Sequence, residues 1–462
     1  MRRASAAGTC RVESEPVGFR TLSLKNHLET QPDKNSASPG YKWQVVFMLW
    51  FICFFNYADR QALSGVAPKL KEEFGFTNDA LGLIGSAFMW VYAAAAPLAG
   101  FIGDRFRRKD LILGGCLFWS LVTVMTGWCG KLWQFVSVRA LEGFGETFYF
   151  PASMSLVSDY HSPRTRSRAM SLHQSSVYAG TILGSWLGAW FAAHSGWRSG
   201  FYFFGAAGMG LALMLYFLLR EPRRGQSELI APAMESSPGV SVVLRDIFRT
   251  FTGVALMVVF AGANAIAGVF LFWTPTFLKE KFHFELTTAG LSGAVYIHLA
   301  SALSVPLAGL AADRLARRLA GGRMLAQATG LLAGAGFIVL VGLTDRVGVL
   351  IAAMVCFGLC KGFYDAGIFA SLYDVVHPRS RASAAGVMNT VGWIGGALAT
   401  SLAGWYADHG PHGSAVANMS RFIAGGGLIY LAGGIVLLLI VALFARHDVL
   451  RRAGEGDESA IT

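Results

Sequence analysis

Charged residues are scarce in this chain: Asp, Glu, Lys and Arg make up 15% of its 462 residues, where a soluble domain carries about a quarter. That shortage excludes an ordinary soluble protein, because a chain this long would divide into domains with polar surfaces. Cysteine is sparse as well. Of six cysteines, Cys53, Cys116, Cys356 and Cys360 sit inside apolar stretches, Cys129 near the end of one and Cys10 close to the start of the chain. Neither a disulfide scaffold nor a metal framework is spelled out. Patterns of the type HExxH, GxSxG, GxxxxGK or paired loop aspartates are missing too, which removes the common hydrolase and nucleotide chemistries. We expect no enzyme activity, no cofactor and no metal.

What the chain has is apolar length. Hydrophobic residues form 54% of it, and stretches long enough to cross a bilayer as a helix, about 20 residues, recur with short polar breaks. They run at 41–66, 79–103, 111–130, 133–158, 167–193 and 198–219, then at 249–278, 286–312, 323–344, 347–376, 382–407 and 421–445. The reading is an all-α membrane protein of twelve transmembrane helices in two pseudosymmetric six-helix bundles, 41–219 and 249–445. Residues 1–40 are polar, lack a signal-peptide core and are expected to form a disordered cytoplasmic tail. Residues 220–248 read as a linker and 446–462 as a second tail.

The net charge of +11 lies in short loops between spans and forms no stripe, so no nucleic-acid partner is expected. Arginine clusters at 105–108, 164–168, 220–224, 314–323 and 379–381 fall on one side of the predicted bundle. The opposite loops mix Lys69, Lys71, Lys279 and Lys281 with Glu72, Glu73, Glu280 and Glu285. By the positive-inside rule both termini and the linker face the cytoplasm. The expected location is the bacterial inner (plasma) membrane.

An internal repeat divides the chain. GFIGDRFRRK at 100–109 returns as GLAADRLARR at 309–318, so Gly100, Asp104, Arg105 and Arg108 recur as Gly309, Asp313, Arg314 and Arg317 at an offset of 209. Pro163, Arg164 and Arg166 recur as Pro378, Arg379 and Arg381 at an offset of 215. Two homologous halves related by an axis along the membrane normal follow. The duplicated Gly-x-x-x-Asp-Arg loop resembles the signature of the major facilitator superfamily, over about residues 41–445. That resemblance implies alternating access, with the eight loop residues acting as gating residues: a carboxylate among arginines latches the cytoplasmic side while the glycine permits close helix approach. Within the superfamily, NYADR at 56–60 and RALEGFGETFYFPA at 139–152 resemble the anion:cation symporters of sugar acids and other organic anions, and they also look like spinster-type carriers. GDRFRRKDLILGG and the REP after the sixth span are similar to spinster-type carriers, whose members move amphipathic lipids.

Ionisable side chains inside a spanning helix are costly and normally face a cavity or a partner. Arg139, Glu142 and Glu146, spaced three and four apart, share one helix face. In the first span Asn56 and Arg60 share a face with Asp59 to its side, so Asp59, Arg60, Arg139 and Glu142 can meet at similar depth. Arginine keeps its proton and stays a fixed fork for anions, whereas a carboxylate in a dry cavity can load and release one. The resemblance to spinster-type carriers implies Asp59 as a proton site, with Arg60, Arg139 and Glu146 lining the path. Glu142 departs from that pattern, which carries an apolar residue there. The offset of 215 places Lys361 opposite Glu146, with Asp365 one turn away, as a charge relay or a permanent pair. We therefore expect Arg60, Arg139, Tyr57, Asn264, Tyr296, Lys361, Asn389 and Trp393 to bind substrate, and Asp59, Glu142, Glu146 and Asp365 to couple protons. The expected function is proton-coupled transport of a small organic anion, a sugar acid or carboxylate, by a monomer in the lipid bilayer. The alternative is a spinster-like carrier of lysolipid or sphingoid molecules.

Overall fold

A computed structural model describes residues 40–222, 244–245, 247–319, 321–377, 380–445 and 447–448. The tail expected at 1–40 lies outside the described residues except for Gly40, as do Pro378, Arg379 and most of the linker and second tail. Among the described residues the long regular elements are helices. The N-terminal half contains α1 (Tyr41–Phe74), α2 (Asn78–Arg105), α3 (Arg108–Thr126), α4 (Leu132–Thr147), α5 (Tyr149–Tyr160), α6 (Pro163–His194) and α7 (Trp197–Leu218). The C-terminal half contains α8 (Phe251–Phe282), α9 (Leu286–Ala316), α10 (Gly322–Leu343), α11 (Val347–Asp365), α12 (Ile368–Val375), α13 (Arg381–His409) and α14 (Ala415–Leu443). Their starts follow local chemistry: Thr77, Thr250 and Ser414 cap α2, α8 and α14, each side chain accepting a backbone N–H three residues on.

The fourth and tenth spans, expected to be continuous, are each broken in two. In the fourth, Pro151 has no N–H to offer the carbonyl of Thr147, its partner one turn back, and α4 ends at that residue. In the tenth, the chain leaves the helix at Ala366 and Gly367 before α12 starts. Interrupted helices at corresponding places in two halves frame the substrate site in carriers of this build. Eight of the spans are long and apolar enough to cross a membrane by composition alone. The other four are the first, fourth, fifth and eleventh.

Close contact holds α1 in place. Gly180, Gly184 and Gly188 repeat every four residues along α6, and a Cβ on Gly184 would stand 2.3 Å from the carbonyl oxygen of Ala58. Only glycine allows the two backbones to touch here, directly beside Asp59.

The halves meet at the end remote from the linker, through a repeat that the loop signature does not include. Lys71, Glu72, Phe74, Gly75 and Phe76 at the end of α1 match Lys279, Glu280, Phe282, His283 and Phe284 at the end of α8, at an offset of 208. Gly75 and His283 both adopt left-handed backbone, with φ of 65° and 56°. The repeat pairs with itself reciprocally: Lys71 bonds Glu280 at 2.6 Å, and Lys279 bonds Glu72. Two-fold pseudosymmetry thus gives this face a doubled ion-pair clasp, extended by Asn78 and the Asp79 N–H donating to Asp408. Lys279 donates a hydrogen bond to Glu72 and holds its carboxyl below the ordinary value near 4.5. A lowered carboxyl contributes its full stabilisation above the ordinary range and loses it as pH falls through the lowered value. Each pair is partly exposed, so we expect Lys71→Glu to shift the population open at this face by up to about fivefold. Spin labels at the ends of α1 and α8 will report longer distances in that variant and in acid, and the exchange Lys71→Glu/Glu280→Lys will restore the short distance. An unchanged distance in the single variant would remove the clasp from the closing of this face.

Candidate functional site

The site is assembled where α1, α2, α3, α4 and α13 converge. Asp59 is 2% exposed, Glu142 2% and Glu146 1%, and their carboxylate oxygens lie within 4.8 Å of one another. Two guanidiniums answer three carboxylates. Arg60 forms an ion pair with Glu146, its Nε donating at 3.1 Å, and its Nη2 donates to Asn56 Oδ1 at 3.3 Å. Arg139 pairs with Glu142 one turn along the same helix. Asp59 has neutral partners: it accepts the Arg60 backbone N–H at 2.7 Å and the Thr123 hydroxyl at 3.2 Å. With all three acids ionised the cluster carries one surplus negative charge, in a place where an unbalanced charge costs several kcal/mol. One bound proton makes it neutral.

Aromatic faces enclose the Arg60 guanidinium. Its carbon lies 4.5 Å from the centre of Tyr57, 4.3 Å from Phe88, 5.9 Å from Tyr92 and 5.5 Å from Trp393. Trp393 belongs to α13 of the opposite half and packs on Tyr92 at 4.6 Å, so Arg60 sits at the seam that must open and close. Arg139 stands over Phe88 at 5.0 Å and is 4% exposed. Among the described residues, its Nε and Glu146 Oε1 are buried without a hydrogen-bond partner.

Across the seam, Lys361 forms an ion pair with Asp365 on α11, a contact that the relay and the permanent pair have in common. Tyr178 of α6 and His298 of α9 approach each other at 6.3 Å between ring centres. Asn264 spends its amide on its own helix, donating to the Phe260 carbonyl at 2.9 Å, and Tyr296 and Asn389 are half-buried. The structure therefore brings Asp59, Arg60, Tyr57, Arg139, Glu142, Glu146 and Trp393 into one cluster and leaves Lys361 and Asp365 as a separate pair. Phe88, Tyr92 and Thr123 escaped sequence reasoning. Aromatic and hydroxyl side chains in an apolar helix carry no signal until the arginine and aspartate they serve are located.

The gating loops need two corrections. Arg108 pairs with Asp159, and its counterpart is Arg323, which bonds Asp374 at 2.8 Å; both couples follow the offset of 215. Six more residues stand between Arg314 and Arg323 than between Arg105 and Arg108, so matching Arg108 to Arg317 by the earlier offset of 209 was off by that insertion. Arg323 also bonds Asp313 at 3.2 Å, whereas Arg314 and Arg317 are exposed. Gly309 makes no close helix approach here: a Cβ there would meet nothing within 4 Å, because the halves meet at the opposite end. Arg105 is exposed in the last turn of α2, and the surroundings of Gly100 and the Asp104 side chain lie outside the described residues.

Comparison with known proteins agrees with this architecture. Residues 49–400 match the Major Facilitator Superfamily. The probable L-galactonate transporter of Escherichia coli (strain K12) is 27% identical over 415 residues, 85% of this chain and 90% of that protein. Protein spinster homolog 1 of Homo sapiens is 30% identical over 248 residues, 53% of this chain and 47% of that one. Among solved structures, a bacterial homolog to the human lysosomal transporter spinster, inward-facing and occupied, superposes with a TM-score of 0.76 at 19% identity, covering 89% of this chain and 99% of that chain. With the family match covering most of its length and the fold in accord, the chain belongs to the Major Facilitator Superfamily, as an integral membrane transporter and not an enzyme.

Proposed function

We propose that this transporter moves a small organic anion, a sugar acid or other carboxylate, together with protons. The observation that carries the reading is the charge count around Arg60: three buried carboxylates face two guanidiniums. In the conformation described, Glu146 fills the Arg60 fork. When Glu146 takes up a proton it lets go of that fork, and a substrate carboxylate can occupy the vacated bonds in the bidentate geometry guanidinium favours. Anion and proton then enter together and leave the net charge of the site unchanged. Loss of the proton returns Glu146 to Arg60 and expels the anion. Asp59, which lacks a guanidinium partner, holds the balancing proton, hands it to Glu146 across the cluster when the anion enters and is reloaded from solution, so the coupled proton passes through Asp59. Lys361, Tyr296 and Asn389 face the remainder of the substrate, and closing of the seam at Trp393 seals it.

The arginine-rich loops support an orientation with the termini, linker and gating loops on the cytoplasmic side of a plasma membrane. The clasp then lies outside, and the conformation is inward-open. The ion pairs of the site lie within one chain, and the proposed working unit is a monomer. A second reading has its own support. The match to spinster homolog 1, the aromatic enclosure of Arg60 and the apolar groove of about 620 Å³ between α1 and α7, lined by Trp43, Phe47, Phe51 and Met214, suit an amphipathic lysolipid. Proteoliposomes offered labelled hexonic acids and labelled lysolipids separate the two. We expect saturable uptake of a hexonate that unlabelled lysolipid does not block; uptake of lysolipid alone would move the protein to the second reading.

A further inference from the structure

Glu142 has no part in the exchange on Arg60, and its position calls for an account. It lies three residues after Arg139 on the same helix, and the two form an ion pair with 5% and 3% of their side chains exposed. Because both groups ride on α4, rocking of the halves does not pull them apart, in contrast to the seam contact of Arg60 with Trp393. Arg139 touches Phe88, the same ring that Arg60 covers, so the second guanidinium stands within one side chain's width of the first. Two such forks would suit a substrate with two carboxylates. Here the chain supplies one of those carboxylates itself.

We propose that Glu142 is a specificity-determining residue: as a built-in anion it occupies Arg139, and so restricts the Arg60 site to acids with a single carboxylate. This inference rests on the organic-anion reading above. A second substrate carboxylate would meet the Glu142 carboxylate, the one acid of the three clustered here that stays ionised in the loaded site, and like charges in a buried cleft repel strongly. Selection of this kind works by repelling the wrong ligand rather than by attracting the right one. The Arg139 Nε is buried without a hydrogen-bond partner, and with Glu142 neutral the whole fork would be open to a ligand.

The test compares two acids of equal length and hydroxylation, an aldonate with one carboxylate and the matching aldarate with two, as competitors of labelled aldonate uptake in proteoliposomes. The wild type will favour the aldonate by at least tenfold. Glu142→Gln, which keeps the shape and removes the charge, will narrow that ratio at least tenfold by strengthening aldarate inhibition. Glu142→Asp keeps the charge but draws the carboxylate back from Arg139; it will narrow the ratio to a smaller degree, and it stands in if the glutamine variant does not assemble. Uptake that persists with an unchanged ratio overturns the role of Glu142 and leaves the organic-anion reading intact. A wild type inhibited by neither acid overturns that reading, and this inference with it.

Discussion

Asp59→Asn will leave a carrier that equilibrates its substrate but cannot concentrate it. A pH difference of one unit is worth about 1.4 kcal/mol per proton, so the wild type should accumulate substrate about tenfold for each proton carried, where no membrane potential is applied. The variant will reach an internal concentration equal to the external one. Asn has the size of Asp, and its amide oxygen can still accept from Thr123 and the Arg60 N–H, the two bonds that position Asp59 now. What it cannot do is change charge. Exchange of labelled for unlabelled substrate, which needs no net proton movement, should therefore persist. The measurement is accumulation against exchange in the same vesicles; a variant that still concentrates substrate tenfold would remove Asp59 from coupling.

The second large effect is expected at Arg60. Arg60→Gln leaves the Glu146 carboxylate buried at 1% exposure without its ion-pair partner, and stranding a buried charge in this way costs about 3–5 kcal/mol. Glu146 will respond by holding its proton, and the anion will lose its fork. We expect substrate affinity to fall by about 100-fold or more, with the protein still folded when extracted because a neutral Glu146 fits an apolar site. Arg60→Lys will not rescue. Lysine keeps the charge but presents no planar fork, and it forfeits the stacking that Tyr57, Phe88 and Trp393 give the guanidinium. Binding measured directly on purified protein distinguishes this from a slower conformational cycle. Near wild-type affinity in the lysine variant would mean that Arg60 acts as a charge alone.

These two residues were visible in the sequence because a spanning helix tolerates ionisable groups only for a reason, and NYADR and RALEGFGE stand out against apolar surroundings. The twelve spans and the two halves were visible for the same cause, apolar length and a repeated polar loop. The break of the fourth span was also written in, as Pro151, but it was absorbed into a continuous apolar run. The clasp was missed although its repeat is as regular as the loop signature. Lysines and glutamates at helix ends count as topology and cancel in a charge tally, and only folding shows that Lys71 reaches across to Glu280 rather than to a neighbour. Arg108 was matched to Arg317 rather than Arg323 because a repeat offset holds only until the next insertion, and the pairs these arginines make with Asp159 and Asp374 were not read from the sequence. Helix-face arithmetic placed Arg139, Glu142 and Glu146 on one stripe, yet it did not reveal that Glu146 faces α1 and Arg60 while Glu142 turns back to Arg139.

The claim that binds these results together is that anion and proton load together onto one buried set of carboxylates and guanidiniums. Proteoliposomes loaded with an internal pH dye test it most directly. Adding a hexonate outside, with no pH gradient imposed, should acidify the lumen in wild-type vesicles in proportion to uptake and leave the pH of Asp59→Asn vesicles unchanged. Uptake of the acid by the wild type without any acidification would contradict the account.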